Sequence, residues 1–263
     1  MIFPVLSIKV TTRCQLKCKN CYAVPWMKKH PRWDWSIESV ERLIDATVYS
    51  GYHFRIVTIS GGEPLLWENL IPALEMLRSS QIADKVRIFT NSVAVNESNI
   101  DWFEKIVELS ESIKISKYIG NEKSIDLIKK YFVSNDKILI SDRTQHNIQS
   151  LVPIDDTVPA HCLCNYPAVF GDVIYSCGGA KLLSYCNGIK LDRLMNRKIG
   201  KHYMRYFTSP ALVSIKLNQE ACKYCMANVN VRNKLLKEKN YCLKGKKNEA
   251  RNDRHIHRLL GKV

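Results

Sequence analysis

The feature that most constrains this chain is a regular switch in apolar spacing between residues 6 and 140. Leu6, Ile8 and Val10 alternate as in a β-strand. Ile37, Val40, Leu43, Ile44 and Val48 then recur at helical spacing behind Asp34 and Ser36, both good helix N-cap types. Phe54, Ile56, Val57 and Ile59 read as a second strand, Leu70 to Leu77 as a helix with Pro72 tolerated in its first turn, and Val86 to Phe89 as a third strand ending at Thr90-Asn91. Trp102 to Leu109 is helical, Ile113 and Ile115 mark a fourth strand, Ser124 to Phe132 is helical, and Ile138 to Ile140 is a fifth strand. Strands that alternate with helices pair in parallel, because the helix supplies the crossover. The expected fold class is α/β, a partial or closed barrel, with chemistry at the C-terminal ends of the strands.

The pattern fades after about residue 150. A short β-hairpin is expected from Ala168 to Ser176 around Gly171-Asp172, then cysteine-rich loops, then a last helix from about Met226 to Lys239. The expected organisation is a core over 1–155, a small second domain over 156–240 and a basic tail over 241–263. Neither the N-terminus nor any later stretch has the apolar length of a signal sequence or a membrane span, so a soluble, cytoplasmic protein is expected, with no membrane partner.

Charge is unevenly distributed. The 263 residues hold 40 Lys or Arg and 25 Asp or Glu, a formal charge of +15. Residues 1–33 contain seven bases and no acid, residues 231–263 contain 11 bases against three acids, and the stretch between is neutral. The excess therefore sits at the two ends and points to an anionic partner, either a small molecule, an acidic peptide or RNA. A solvated lysine-rich surface is the plainer reading of the same tail.

Ten cysteines in a chain without a secretory signal point to metal rather than to disulfides. The first strand runs into Thr-Thr-Arg-Cys14-Gln-Leu-Lys-Cys18-Lys-Asn-Cys21-Tyr22, a C-x3-C-x2-C loop. Three thiolates in one loop can reach three irons of a cubane [4Fe–4S] cluster and leave the fourth iron open to a ligand. Lys17 and Lys19 would offset the negative charge. The spacing is awkward for tetrahedral zinc, which favours paired C-x2-C units.

With Ser60-Gly61-Gly62-Glu63-Pro64 at the end of the second strand, this loop resembles the radical SAM superfamily over about residues 5–145. The resemblance implies a partial (β/α)6 barrel and S-adenosyl-L-methionine (SAM) bound to the open iron. Cys14, Cys18 and Cys21 would be the metal ligands. Gly61, Gly62, Glu63 and Pro64 would hold the methionyl end of SAM, with Glu63 accepting from the amine and the glycines letting the backbone approach the ligand. Tyr22 would lie near the adenine, and Asn91 and Ser116, at the ends of the third and fourth strands, sit where the family places cofactor contacts.

A second cysteine set follows. Cys164-Asn-Tyr-Pro167 precedes the hairpin, Cys177 follows it, and Cys222-Lys-Tyr-Cys225 opens the last helix. Four thiolates suffice for a fully ligated auxiliary [4Fe–4S] cluster or for a tetrahedral zinc site, and spacing alone does not separate the two. The arrangement resembles the twitch domain, a shortened SPASM extension, in a layout similar to that of the 2-deoxy-scyllo-inosamine dehydrogenases. Cys162 competes with Cys164 as a ligand, and Pro167 favours Cys164. Cys186 and Cys242 read as spare.

The resemblance implies formation of a 5′-deoxyadenosyl radical that takes hydrogen from a substrate carbon, with a flavodoxin- or ferredoxin-type electron donor. An auxiliary cluster would make the outcome an oxidation or modification of a peptide or small metabolite. A redox-neutral epimerisation and modification of a nucleotide or RNA are the alternatives within the class. A zinc-stabilised nucleic-acid-binding protein is the alternative outside it. Oxidation also needs a deprotonating base. Asp142 and Arg143, just past the fifth strand, are candidates by position, with a solvated turn as the plainer reading. Asp155 and Asp156, and His30, His146 and His161 read as loop, structural or surface residues, and Trp26, Trp33 and Trp35 as packing.

Overall fold

In a computed structural model, residues 2–16, 18, 21, 23–118, 120–142, 167–171, 173–175 and 196–198 are described. Five strands carry the repeat: β1 (Ile2–Lys9), β2 (His53–Ser60), β3 (Ala83–Thr90), β4 (Ser112–Lys117) and β5 (Ile138–Asp142). Between them run α1 (Val24–Lys29), α2 (Ile37–Tyr49), α3 (Leu70–Ser79), α4 (Ile100–Leu109) and α5 (Glu122–Tyr131). The hairpin strands are β6 (Ala168–Phe170) and β7 (Val173–Tyr175), and a short β8 (Asn196–Lys198) follows. The strands form one sheet in the order β5-β4-β3-β2-β1-β6-β7-β8. The pairs from β5 through to β6 are parallel, and the β6–β7 and β7–β8 pairs are antiparallel.

The expected α/β architecture is thus present, and its elements arise where the periodicity placed them. Ser36 caps α2 by accepting the Ser39 backbone N–H at 3.3 Å. Leu70, Ala73, Leu74 and Leu77 line the buried stripe of α3, and Phe103, Ile106 and Val107 that of α4. These stripes join Leu6, Ile8, Val57, Ile59, Val86, Ile88, Ile113 and Ile115 of the sheet in one core. Trp35 and Trp67 are fully enclosed there, and Trp67 Nε1 donates to the Trp35 carbonyl at 2.7 Å.

The hairpin does not stand apart from this sheet. β6 pairs with β1 through Ser7↔Ala168, Ile8↔Val169 and Lys9↔Phe170, and Ser7 donates to the Pro167 carbonyl at 2.9 Å. Its turn uses Gly171 at φ +59°, the left-handed region. Trp26 of α1 packs edge-on against Phe170, with ring centroids 5.2 Å apart, and also meets Trp33. With Ala23, Ala168 and Tyr175 these rings form a smaller second core.

Candidate functional site

Val10 to Arg13 leave the end of β1 and are fixed from two sides. On one side the returning chain lies along them: Trp35 donates to the Val10 carbonyl at 2.7 Å, and Thr12 to the Trp33 carbonyl at 2.8 Å. Asp34 accepts from Thr11 Oγ1 at 2.5 Å and from Arg13 Nε at 3.1 Å, and its second oxygen pairs with Arg13 Nη2 at 2.6 Å. On the other side, Gly62 donates to the Thr11 carbonyl and Glu63 to the Arg13 carbonyl, each at 2.7 Å.

This second contact explains the glycines. A Cβ on Gly61 would stand 2.5 Å from the Thr11 carbonyl oxygen, and one on Gly62 2.2 Å from that of Arg13. The sequence expectation was close approach to a ligand. The close approach seen among the described residues is to the chain that leads into Cys14, so the glycines set where the cysteine loop begins.

Glu63 is 1% exposed, and both its oxygens are engaged. Oε1 accepts from the Leu65 N–H at 3.0 Å and from Thr90 Oγ1 at 2.5 Å, and Oε2 accepts from the Asn91 N–H at 2.7 Å. Burial pushes its carboxyl up to about 7, against the pull of these three donors. A carboxylate offers about four acceptor directions, so three donors leave room for one more. Pro64 begins a single 3-10 turn, Pro64–Leu66, that Glu63 caps.

Asn91 reaches the cysteine loop directly: its Nδ2 donates to Cys14 Sγ at 3.6 Å. Its Oδ1 accepts from the Val93 N–H at 2.9 Å, which orients the amide. Ser116 is buried at the end of β4. Asn121, which sequence reasoning did not single out, ties these two strand ends together. Its Nδ2 donates to the Asn91 carbonyl at 2.5 Å and to the Ser116 carbonyl at 2.8 Å, and its Oδ1 accepts from the Tyr118 N–H at 2.8 Å. An asparagine just before a helix is a cue for such local bonding.

The fold therefore gathers Cys14, Gly61, Gly62, Glu63, Asn91 and Ser116 at one end of the sheet, with Cys18 and Cys21 in the same loop. Cys14, Cys18 and Cys21 are partly exposed and outside any disulfide. Burial raises the Cys14 thiol to about 11 and raises Cys18 too. Among the described residues no three His, Cys, Asp or Glu side chains converge as they would on a single ion. Lys9 donates to Ser60 Oγ at 2.7 Å beneath the loop; burial lowers its pKa to about 8, and the nearby Cys21 offsets part of that shift.

Tyr22, Lys17, Lys19, Cys162, Cys164, Cys177, Cys186, Cys222, Cys225 and Cys242 lie outside the described residues, as do Arg143, His146, Asp155, Asp156, His161 and the basic tail. Trp26 and Trp35 are buried and Trp33 is partly buried, as the packing reading expected. No helix among the described residues is long and apolar enough to cross a membrane.

Comparison with known proteins bears on this site in three ways. The family description "Radical SAM superfamily" matches residues 8–138. Two curated relatives, the GTP 3′,8-cyclases of Desulforamulus reducens and Ectopseudomonas mendocina, are each 33% identical, over 97 and 93 residues. Those stretches cover 36% and 35% of this chain but only 29% and 27% of the relatives' own length. Among solved structures, BtrN in complex with AdoMet and 2-DOIA aligns with a TM-score of 0.59 at 16% identity, over 85% of this chain and 91% of that one. Likeness at that identity is likeness of fold.

Proposed function

The chain belongs to the radical SAM superfamily, and from that premise we propose that Cys14, Cys18 and Cys21 hold a [4Fe–4S] cluster with one iron open to SAM. When bound, the pair supplies reductive cleavage of SAM to a 5′-deoxyadenosyl radical, which takes hydrogen from a substrate carbon. The observation that carries this reading is the backbone pairing of Gly62 and Glu63 with Thr11 and Arg13, immediately before Cys14.

Each residue has a share in it. Asn91 steadies the Cys14 sulfur through its amide. Glu63 takes the methionyl amine of SAM on its remaining acceptor direction, while the Gly61-Gly62 backbone and Pro64 shape the pocket wall. Tyr22 would lie near the adenine, and Ser116 would contact the cofactor from the end of β4. Cys164, Cys177, Cys222 and Cys225 hold an auxiliary [4Fe–4S] cluster in a twitch-like domain. Cys164 precedes Pro167 by three residues and Cys177 follows Tyr175 by two, so both flank the open end of the β6–β7 hairpin in sequence. Such a cluster favours an oxidoreductase or modifying enzyme. A flavodoxin- or ferredoxin-type protein supplies the electron, and a reducing cytoplasm keeps the thiols available.

The named relatives favour a second reading of the substrate, a purine nucleotide that is cyclised rather than oxidised. One experiment addresses both. The full chain is reconstituted anaerobically with iron and sulfide, then given SAM and dithionite. Formation of 5′-deoxyadenosine, lost in a Cys14→Ala, Cys18→Ala, Cys21→Ala variant, is the expected result. Cleavage that survives in that variant would sink the assignment. GTP added to the same reaction tests the second reading through a 3′,8-cyclised product. Iron that falls by about half in Cys222→Ala, Cys225→Ala supports the auxiliary cluster, and unchanged iron removes it.

A further inference from the structure

Strand register fixes which side chains share the face of the sheet opposite Leu6, Ile8 and Ile59. In one layer Lys9 pairs with Ser60, and Phe89 with Lys114. In the layer below, Ser7 pairs with Thr58, Thr58 with Arg87, and Arg87 with Ser112. Side chains alternate along a strand, so these residues stand on one face. The positions of that face from β1 to β5 hold Lys9, Lys85, Arg87 and Lys114 and no acid. Arg87, Phe89 and Lys114 are partly buried. Arg87 Nε donates to Ser112 Oγ at 3.0 Å, which among the described residues engages one of its five N–H donors. Lys114 Nζ lies 5.7 Å from the centre of the Phe89 ring. Basic side chains gathered on one face attract an anion.

We propose that this face seats the phosphate of a phosphorylated small-molecule substrate between Arg87 and Lys114, with the rest of the molecule running along the strands toward Cys14. The proposal rests on the radical SAM reading of the cysteine loop and names the substrate class of that site. Arg87 offers a planar fork and Lys114 a point charge, and together they match a dianionic tetrahedral group. Arg87 lies four residues before Asn91, whose amide touches Cys14. At about 3.3 Å per residue that is roughly 13 Å, the span of a sugar phosphate or a nucleoside phosphate.

The test uses the anaerobically reconstituted full chain. Inorganic phosphate is titrated and followed by ³¹P NMR in four proteins: the parent, Arg87→Gln with Lys114→Gln, Lys114→Gln alone, and Lys105→Gln on the exposed side of α4. Phosphate should bind the parent and Lys105→Gln alike and bind the double variant at least about tenfold more weakly, with iron content and circular dichroism checking each fold. The single variant decides the matter if the double one does not fold. A second arm adds sugar phosphates and nucleoside phosphates beside their dephosphorylated parents, an acidic peptide and a short RNA. Deuterium transfer into 5′-deoxyadenosine from a phosphorylated compound, and not from its parent, is the expected result. Equal phosphate affinity in the variants, no binding by the parent protein, or transfer only from dephosphorylated compounds, peptide or RNA would overturn the proposal. Failure of the radical SAM reading shows separately, as no 5′-deoxyadenosine from the reconstituted protein at all.

Discussion

The side-chain amide of Asn91 donates to the sulfur of Cys14 at 3.6 Å, across 77 residues of chain. The contact joins the end of β3 to the cysteine loop at the end of β1. An N–H aimed at a ligand sulfur favours the more negative, reduced state of an attached cluster. Asn91→Ala should therefore lower the reduction potential and cut cluster affinity or activity about 10–100-fold. An EPR-monitored redox titration with iron analysis checks this, and an unchanged potential would remove Asn91 from that role.

Two glycines separate crowding from backbone conformation. Gly62→Ala places a methyl 2.2 Å from the Arg13 carbonyl oxygen, where only main chain could give way. Its cost should be about 3 kcal/mol, the upper part of the overpacking range, together with poor iron loading. Gly51→Ala meets nothing within 4 Å but sits at φ +63°. It should cost about 1 kcal/mol, the left-handed penalty alone, and leave iron loading intact. Denaturant unfolding beside iron assays measures both.

Glu63 gives stability a pH signature. Its carboxyl rises from 4.5 to about 7 on folding because burial disfavours the charge. A raised pKa contributes stability that is complete below pH 4.5 and is lost as pH rises through about 7, a swing of about 3 kcal/mol. Glu63→Gln does not titrate, but it turns one acceptor into a donor facing another donor, a fixed cost of about 1–3 kcal/mol. The variant should be less stable than the parent at pH 5, with the gap narrowing or reversing by pH 8. Urea unfolding of the reduced, metal-free chain at the two pH values decides it; a constant gap means another group titrates.

Asp34 holds the near side of the loop through Thr11 and Arg13. Asp34→Asn keeps the shape but removes the charge that pairs with Arg13. A loss of about 1–2 kcal/mol is expected, smaller at high salt because the pair is partly exposed. Thermal melts at two ionic strengths measure it.

Sequence and structure agree where a periodic stripe meets a core. The helices behind Ser36 and from Leu70 were readable because their apolar residues recur on one face, and the hairpin because Gly171 sits between two short apolar runs. Helix α1 was missed, since six residues carry no periodicity of their own, and its Trp26 packs instead in the small cluster with Phe170 and Tyr175. The motif at Gly61–Glu63 was visible in sequence, but its partner was not. Spacing cannot reveal that the glycines face Thr11 and Arg13, because that contact comes from pairing β1 with β2. Asn121 escaped for a similar reason: its bonds to Ser116 and Tyr118 are local, but its bond to the Asn91 carbonyl exists only because β3 lies beside β4.

The parallel pairing of β6 with β1 sets an order in time. β1 gains one neighbour from β2 soon after it emerges, but its other neighbour comes some 160 residues later in the chain. At ribosomal rates of about 5–20 residues per second, that wait lasts roughly 10–30 s. Until then the strand that feeds Cys14 has a bare edge, open to wrong partners. Closing so long a loop also slows the last docking step. The cysteine loop is thus among the first segments made and among the last to acquire its finished surroundings, so iron loading is best timed after the hairpin has docked.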